Sequence, residues 1–82
     1  NLPTVEMQQS EIDAGIGVLA AFVKAGLVVS NSEARRQVQG GGVKVNDRLV
    51  TNDKAVINAD DVKDGVVKLS LGKKKHVLLK PV

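Results

Sequence analysis

The chain has 82 residues, 43% apolar and 26% charged, which suits one small domain with a single modest core and is too apolar for disorder. It has no cysteine, which removes disulfides, thiolate catalysis and zinc fingers, and no apolar stretch nears the roughly 20 residues needed to cross a bilayer. The net charge of +3 conceals segregation, because residues 1–34 carry −3, 35–48 carry +3, 49–64 carry −2 and 65–82 carry +5. Two local basic blocks that a fold can bring onto one face attract a polyanion far more strongly than the average charge suggests.

Residues 1–11 read as a linker, since Pro3 interrupts them, Glu6, Gln8, Gln9 and Ser10 are solvating, and no apolar period is present. No signal peptide is visible, and Asn1 opens the chain as it would in an excised fragment or after processing; the expected compartment is the cytoplasm. Asp13 is placed to cap a helix running to Lys24 or Ala25, with Ile16, Leu19, Ala20 and Val23 on one side and Val18 and Phe22 alongside. Gly26 ends it, and Leu27, Val28 and Val29 lead to a second helix.

That second helix is the most telling element. Ser30 followed three residues later by Glu33 is a capping box, so the helix starts at Asn31 or Ser32. Ala34 and Val38 form a narrow apolar seam that must dock on the first helix, because about nine residues do not hold a helix alone in water. Ser32, Arg35, Arg36 and Gln39 fall at i, i+3, i+4 and i+7, a spacing that usually gathers core residues. Here it gathers a hydroxyl, two guanidiniums and an amide, the groups that contact phosphate and ribose. Gly40, Gly41 and Gly42 then reverse the chain into Val43, Lys44 and Val45.

The remainder reads as strands. Asn46 and Asp47 tolerate positive φ and suit a hairpin between residues 43–45 and 49–50. Residues 51–65 are turn-like, with Ala55, Val56 and Ile57 as a candidate buried segment. Val67, Leu69 and Leu71 alternate with Lys68 and Ser70, and residues 72–75 turn the chain into 76–80 as a second hairpin. The expected fold class is α+β: two short packed helices followed by a small, mostly antiparallel sheet. Lys73, Lys74 and Lys75 at that hairpin tip repel one another, which contributes nothing to folding and favours an anionic partner.

Three other signals carry no chemistry. Gly15 to Ala20 match G-x-G-x-x-A with Glu33 about where a ribose-binding acid would lie, but no strand precedes them and no room remains for a βαβ unit. Asp60, Asp61 and Asp64 lack the spacing of a calcium loop and read as a solvated turn. His76 has no second histidine or cysteine to share a metal with, and belongs at the edge of the basic hairpin. No nucleophile, metal site or nucleotide loop is found, so neither catalytic activity nor a cofactor is expected of these residues.

Phe22 is the one aromatic residue, and it lies on a core helix. Proteins that read unpaired bases stack them on exposed aromatics. This surface is therefore expected to recognise folded RNA by shape, with Arg35 and Arg36 clamping phosphates. Ser32, Gln39 and Asn46 would bond sugar or phosphate oxygens, and Lys44, Lys73, Lys74 and Lys75 would extend the contact.

Residues 30–46, S-N-S-E-A-R-R-Q-V-Q-G-G-G-V-K-V-N, resemble the core of the RNA-binding domain named after ribosomal small-subunit protein four, also called the alpha-L RNA-binding motif. That pattern is a serine-led helix bearing a double arginine, then glycines, then a strand ending in Asn. Residues 2–6, 25–28 and 71–77 further resemble the C-terminal domain of bacterial tyrosyl-tRNA synthetases. The resemblance implies a linker over 1–11 from an N-terminal catalytic domain, and an S-four-like RNA-binding domain over 12–82. It implies that tRNA is the partner, held by its long variable arm and anticodon stem, with neither membrane nor DNA involved. In such a parent a separate Rossmann-type domain activates tyrosine with ATP and magnesium and carries the H-I-G-H and K-M-S-K-S signatures, which these 82 residues lack. The parent is implied to be a homodimer through that catalytic domain, and the isolated fragment a monomer. Two alternatives stay open: another carrier of the domain acting on ribosomal RNA, and a protein-interaction module for an acidic partner.

Overall fold

Alternation builds the centre of the molecule. In the computed structural model, which describes residues 2–82, the Val67, Leu69 and Leu71 side chains of β6 (Val67–Leu71) are buried on one face. β6 pairs antiparallel with β7 (Lys75–Pro81) on one side and with β3 (Val43–Val45) on the other. β3 turns through Asn46 and Asp47, at φ 52 and 67, into β4 (Arg48–Leu49). Two left-handed residues in succession are what a tight hairpin matching the strand twist requires. The return strand thus begins at Arg48, one residue before the expected position.

The fifth strand comes from the segment expected to be a linker. β1 (Thr4–Met7) runs parallel to β7 with Thr4 opposite Leu78 and Met7 opposite Pro81, completing the order β1-β7-β6-β3-β4. Met7 is buried, and the Pro3 carbonyl accepts from the Leu78 N–H at 2.8 Å. A four-residue strand paired with the far end of the chain leaves almost no local signal. Residues 4–11 are therefore part of the domain rather than a tether to it.

The expected helix from Asp13 to Lys24 is also divided. α1 (Gln9–Ala14) ends at Gly15, whose φ of 90 breaks the helix, and Ile16–Gly17 form a two-residue strand, β2. β2 pairs with β5 (Val56–Ile57), and a Cβ at Gly15 would lie 2.9 Å from the Val56 Cγ1. Close approach and positive φ together require glycine there. α2 (Val18–Lys24) then buries Val18, Ala21 and Phe22, with Ala25 just beyond, a different stripe from the one expected. Leu19 and Val23 are only half-buried and Ala20 is exposed. The Leu27 N–H closes the helix end on the Phe22 carbonyl at 3.1 Å.

α3 (Asn31–Gln39) begins where expected and lays Ala34 and Val38 against α2. Helices α1 to α3 cover the apolar face of the sheet, and Ile12, Phe22, Ala34 and Val38 join Val43, Val67, Leu69, Val77 and Leu79 in one core. The architecture is α+β as expected, with three helices rather than two. The opposite sheet face carries Lys44, Lys68, Ser70, His76 and Lys80, which alternate with the buried residues along β3, β6 and β7.

Candidate nucleic-acid interface

The cap fixes the arginine helix. Ser30 is extended and its Oγ accepts from the Glu33 N–H at 3.2 Å, the forward half of the expected box. With the seam turned inward, Ser32, Arg35, Arg36 and Gln39 are all exposed along one stripe. The two arginines are not equivalent. Arg35 Nε lies 3.1 Å from Asp53 Oδ2, whereas Arg36 has no ion pair among the described residues. Arg36 sits in the last turn, where a cation also complements the helix dipole.

A backbone bond joins this helix to the lysine tip. α3 ends through Gly41 at φ 78, and the Gly42 carbonyl then accepts from the Gly72 N–H at 2.7 Å. Gly72 opens the turn carrying Lys73, Lys74 and Lys75, all exposed, so the chain leaving α3 is tied directly to the lysine turn. A shallow depression of about 430 Å³ lies there, lined by Gln37, Leu71, Gly72 and the three lysines. Gln37 was not expected in the site: it is half-buried, and its Oε1 would stand 3.0 Å from a Cβ at Gly42. No sequence signal marks it, since it lies off the arginine stripe.

His76 steadies the turn. Its Nε2 is 3.2 Å from the Lys73 carbonyl and its Nδ1 is 2.9 Å from Ser70 Oγ, the one buried polar side chain among the described residues. The tautomer protonated on Nε2 satisfies both contacts, with the Ser70 hydroxyl donating to Nδ1. Lys44 is exposed on the same face, opposite Ser70 in the register, and extends the basic surface away from the tip.

The Asn46 side chain is bonded within the protein. Its Nδ2 donates to the Asp61 carbonyl at 2.6 Å and its Oδ1 accepts from the Lys68 N–H at 3.1 Å. Both polar ends are engaged within the protein, so Asn46 fixes the turn that presents β3, with one N–H and one lone pair left uncommitted. Its neighbour Asp47 takes a hydrogen bond from the Lys68 ammonium at 3.0 Å, which with the lysine charge holds its carboxyl below the ordinary aspartate range. Lys44 and His76 add weaker pulls in the same direction. Of the acidic cluster, Asp61 is occupied by the Asn58 N–H and by Arg48, while Asp64 adopts φ 54 in the following turn.

An α+β domain presenting a capped arginine helix beside a lysine hairpin defines an S-four-like module. A family model described as the tyrosine-tRNA ligase SYY-like C-terminal domain matches residues 1–79. Similar chains include tyrosine-tRNA ligases of Bradyrhizobium diazoefficiens, 62% identical over 82 residues, and of Xanthobacter autotrophicus, 64% identical over 83 residues. That of Methylocella silvestris is 60% identical over 82 residues. These alignments cover 99–100% of this chain and 20% of each relative, so the chain spans about a fifth of the length of the curated relatives it matches. The chain belongs to the family of C-terminal domains of tyrosine-tRNA ligases, and corresponds to that domain and not to the catalytic one.

Proposed function

We propose that this domain binds structured tRNA for a tyrosine-tRNA ligase, gripping the long variable arm and nearby anticodon stem of tyrosine tRNA. The observation that supports this reading is the bond from Gly72 to Gly42, which ties the chain leaving the arginine helix to the turn that carries the three lysines. Two cationic anchors held by backbone match a rigid backbone better than a flexible one. Phe22, the only Phe, Tyr or Trp in the chain, is 1% exposed, so no ring of that kind is offered for stacking unpaired bases. Phosphate and ribose contacts must then do the reading. In the same proposal, tyrosine activation with ATP and magnesium belongs to the catalytic part of a cytoplasmic, dimeric parent, and the 82-residue chain is silent in that reaction.

The test is a competition at one ionic strength between a tRNA with a long variable arm and an unstructured RNA of equal length. The structured RNA should bind about tenfold tighter or more, close to 1.4 kcal/mol. Neutralising Lys73, Lys74 and Lys75 should weaken both complexes and shrink the difference. Equal affinity for the two RNAs in the unmodified chain would reduce the domain to a nonspecific polyanion clamp. Pyrophosphate exchange by the isolated chain, free of host enzyme, would contradict the division of labour.

A further inference from the structure

Arg35 and Arg36 are adjacent on one helix, yet only Arg35 has an acid in contact. That acid comes from a well-anchored turn. The Val50 N–H bonds the Val43 carbonyl at 2.9 Å, and the Val18 N–H bonds the Ala55 carbonyl at 2.8 Å, tying the segment to β3 at one end and to α2 at the other. Between those anchors the Asn52 Oδ1 accepts from the Lys54 N–H at 2.8 Å, and the Ala55 N–H returns to the Asn52 carbonyl at 3.1 Å. The backbone on both sides of Asp53 is therefore anchored. The Asp53 side chain is 28% exposed, against 54% for Arg35.

We infer that Asp53 is a positioning residue that orients the Arg35 guanidinium toward phosphate and so favours structured RNA; the inference rests on the RNA-binding reading above. The contact is an ion pair made on the Nε side of the Arg35 guanidinium. A guanidinium has five N–H donors in a rigid plane, so the two terminal nitrogens keep a fork suited to two oxygens of one phosphate. With a carboxylate beside Nε, the guanidinium is biased toward one side before RNA arrives, and less side-chain freedom is lost on binding. The carboxylate also repels phosphate approaching from its own side. A stem with fixed phosphate positions can approach along the open direction. A flexible strand gains less from that bias and brings other phosphates near the acid. Asp53 thereby raises discrimination at the expense of total attraction, a device of specificity rather than affinity.

Asp53→Ala removes both the charge and the acceptor, and Asp53→Asn removes the charge at nearly the same shape. Dissociation constants for the long-armed tRNA and for single-stranded RNA should be measured by fluorescence anisotropy at one ionic strength, on variants whose melting curves match the unmodified chain. Asp53→Ala should tighten single-stranded RNA about two- to threefold and weaken the structured tRNA by a similar factor, so the preference falls about fivefold. Asp53→Asn should lie between. In an Arg35→Ala background the Asp53 change should tighten both RNAs equally and leave the preference unmoved. Equal tightening with Arg35 intact would make Asp53 a mere competitor and overturn the inference, as would no change in either. A second readout is independent of RNA: the Arg35 Nε–H nuclear magnetic resonance signal should be rigid in the free chain and mobile in Asp53→Ala. If the unmodified chain shows no preference for structured RNA, the functional reading fails, and that signal still decides whether Asp53 sets the side chain. Equal mobility in both forms would overturn the positioning role.

Discussion

Replacing Arg36 by alanine isolates the one arginine of the stripe with no ion pair among the described residues. The side chain is exposed and points away from Ala34 and Val38, which form the buried seam of α3. Its backbone carbonyl still accepts from the Gly40 N–H at 2.9 Å, so the helix end survives the change. Alanine regains a little helix propensity while the helix dipole loses a cation, and these roughly offset to leave stability within about 1 kcal/mol. Binding should respond much more. A charged hydrogen bond to phosphate is worth about 1.5–3 kcal/mol, which weakens the tRNA complex by about 10- to 150-fold. Titrations by fluorescence anisotropy across a salt series should also show the log–log slope become less steep by about 0.7–0.9, the signature of one lost phosphate contact. Weaker binding with an unchanged slope would mean that Arg36 does not meet a phosphate. A drop in stability of several kcal/mol would mean that the stripe is structural, and the reasoning from helix faces would fail.

Phe22→Ala should cost about 3–5 kcal/mol, because the ring is fully buried where α2 meets the sheet; urea unfolding checks this, and a loss below about 1 kcal/mol would refute the packing. Asn46→Ala should destabilise by about 1–3 kcal/mol through two orphaned partners and a strained φ, while tRNA affinity of the folded variant stays unchanged; a large affinity loss would return Asn46 to the interface. Because Lys68 lowers the Asp47 carboxyl, the folded state favours its ionised form. That contribution is present above the ordinary aspartate range and fades as pH falls through the lowered folded value, so Asp47→Asn should flatten the acid limb of a stability–pH curve below about pH 4. Superimposable acid limbs would show that the pair has no effect on folding.

What could be read from sequence was what local chemistry decides. The cap at Ser30, the seam at Ala34 and Val38, the left-handed pair at Asn46 and Asp47, and the alternation over 67–71 each sit within a few residues and each took the expected form. The failures share a different cause. β1 exists only because Thr4 to Met7 meet a strand at the other end of the chain. The break at Gly15 was masked by a run of apolar residues with helical spacing, although two glycines within three residues, each costing about 1 kcal/mol in a helix, argued for an interruption. At the interface the residue types on α3 were legible, but their inequality was not. Asp53 reaches Arg35 across a turn from another element, and Asn46 is occupied by Asp61 and Lys68, which only the tertiary fold brings near.

The parallel pairing of β1 with β7 also bears on how the domain assembles as it is made. Thr4 and Leu78 lie almost a full chain length apart, and a ribosome adding about 5–20 residues per second needs about 4–15 s to supply the second after the first. Through that interval β1 has no lasting partner, with Val5 and Met7 uncovered and its backbone groups open to other chains. Its composition is suited to waiting: the strand has four residues, Glu6 puts a charge in it, and Pro3 lies just ahead of it. The entropy of closing so long a loop grows only logarithmically, so the delay weighs on the rate of folding more than on final stability. At this edge of the sheet, the first strand of the domain to be made can pair only once the last one has been made.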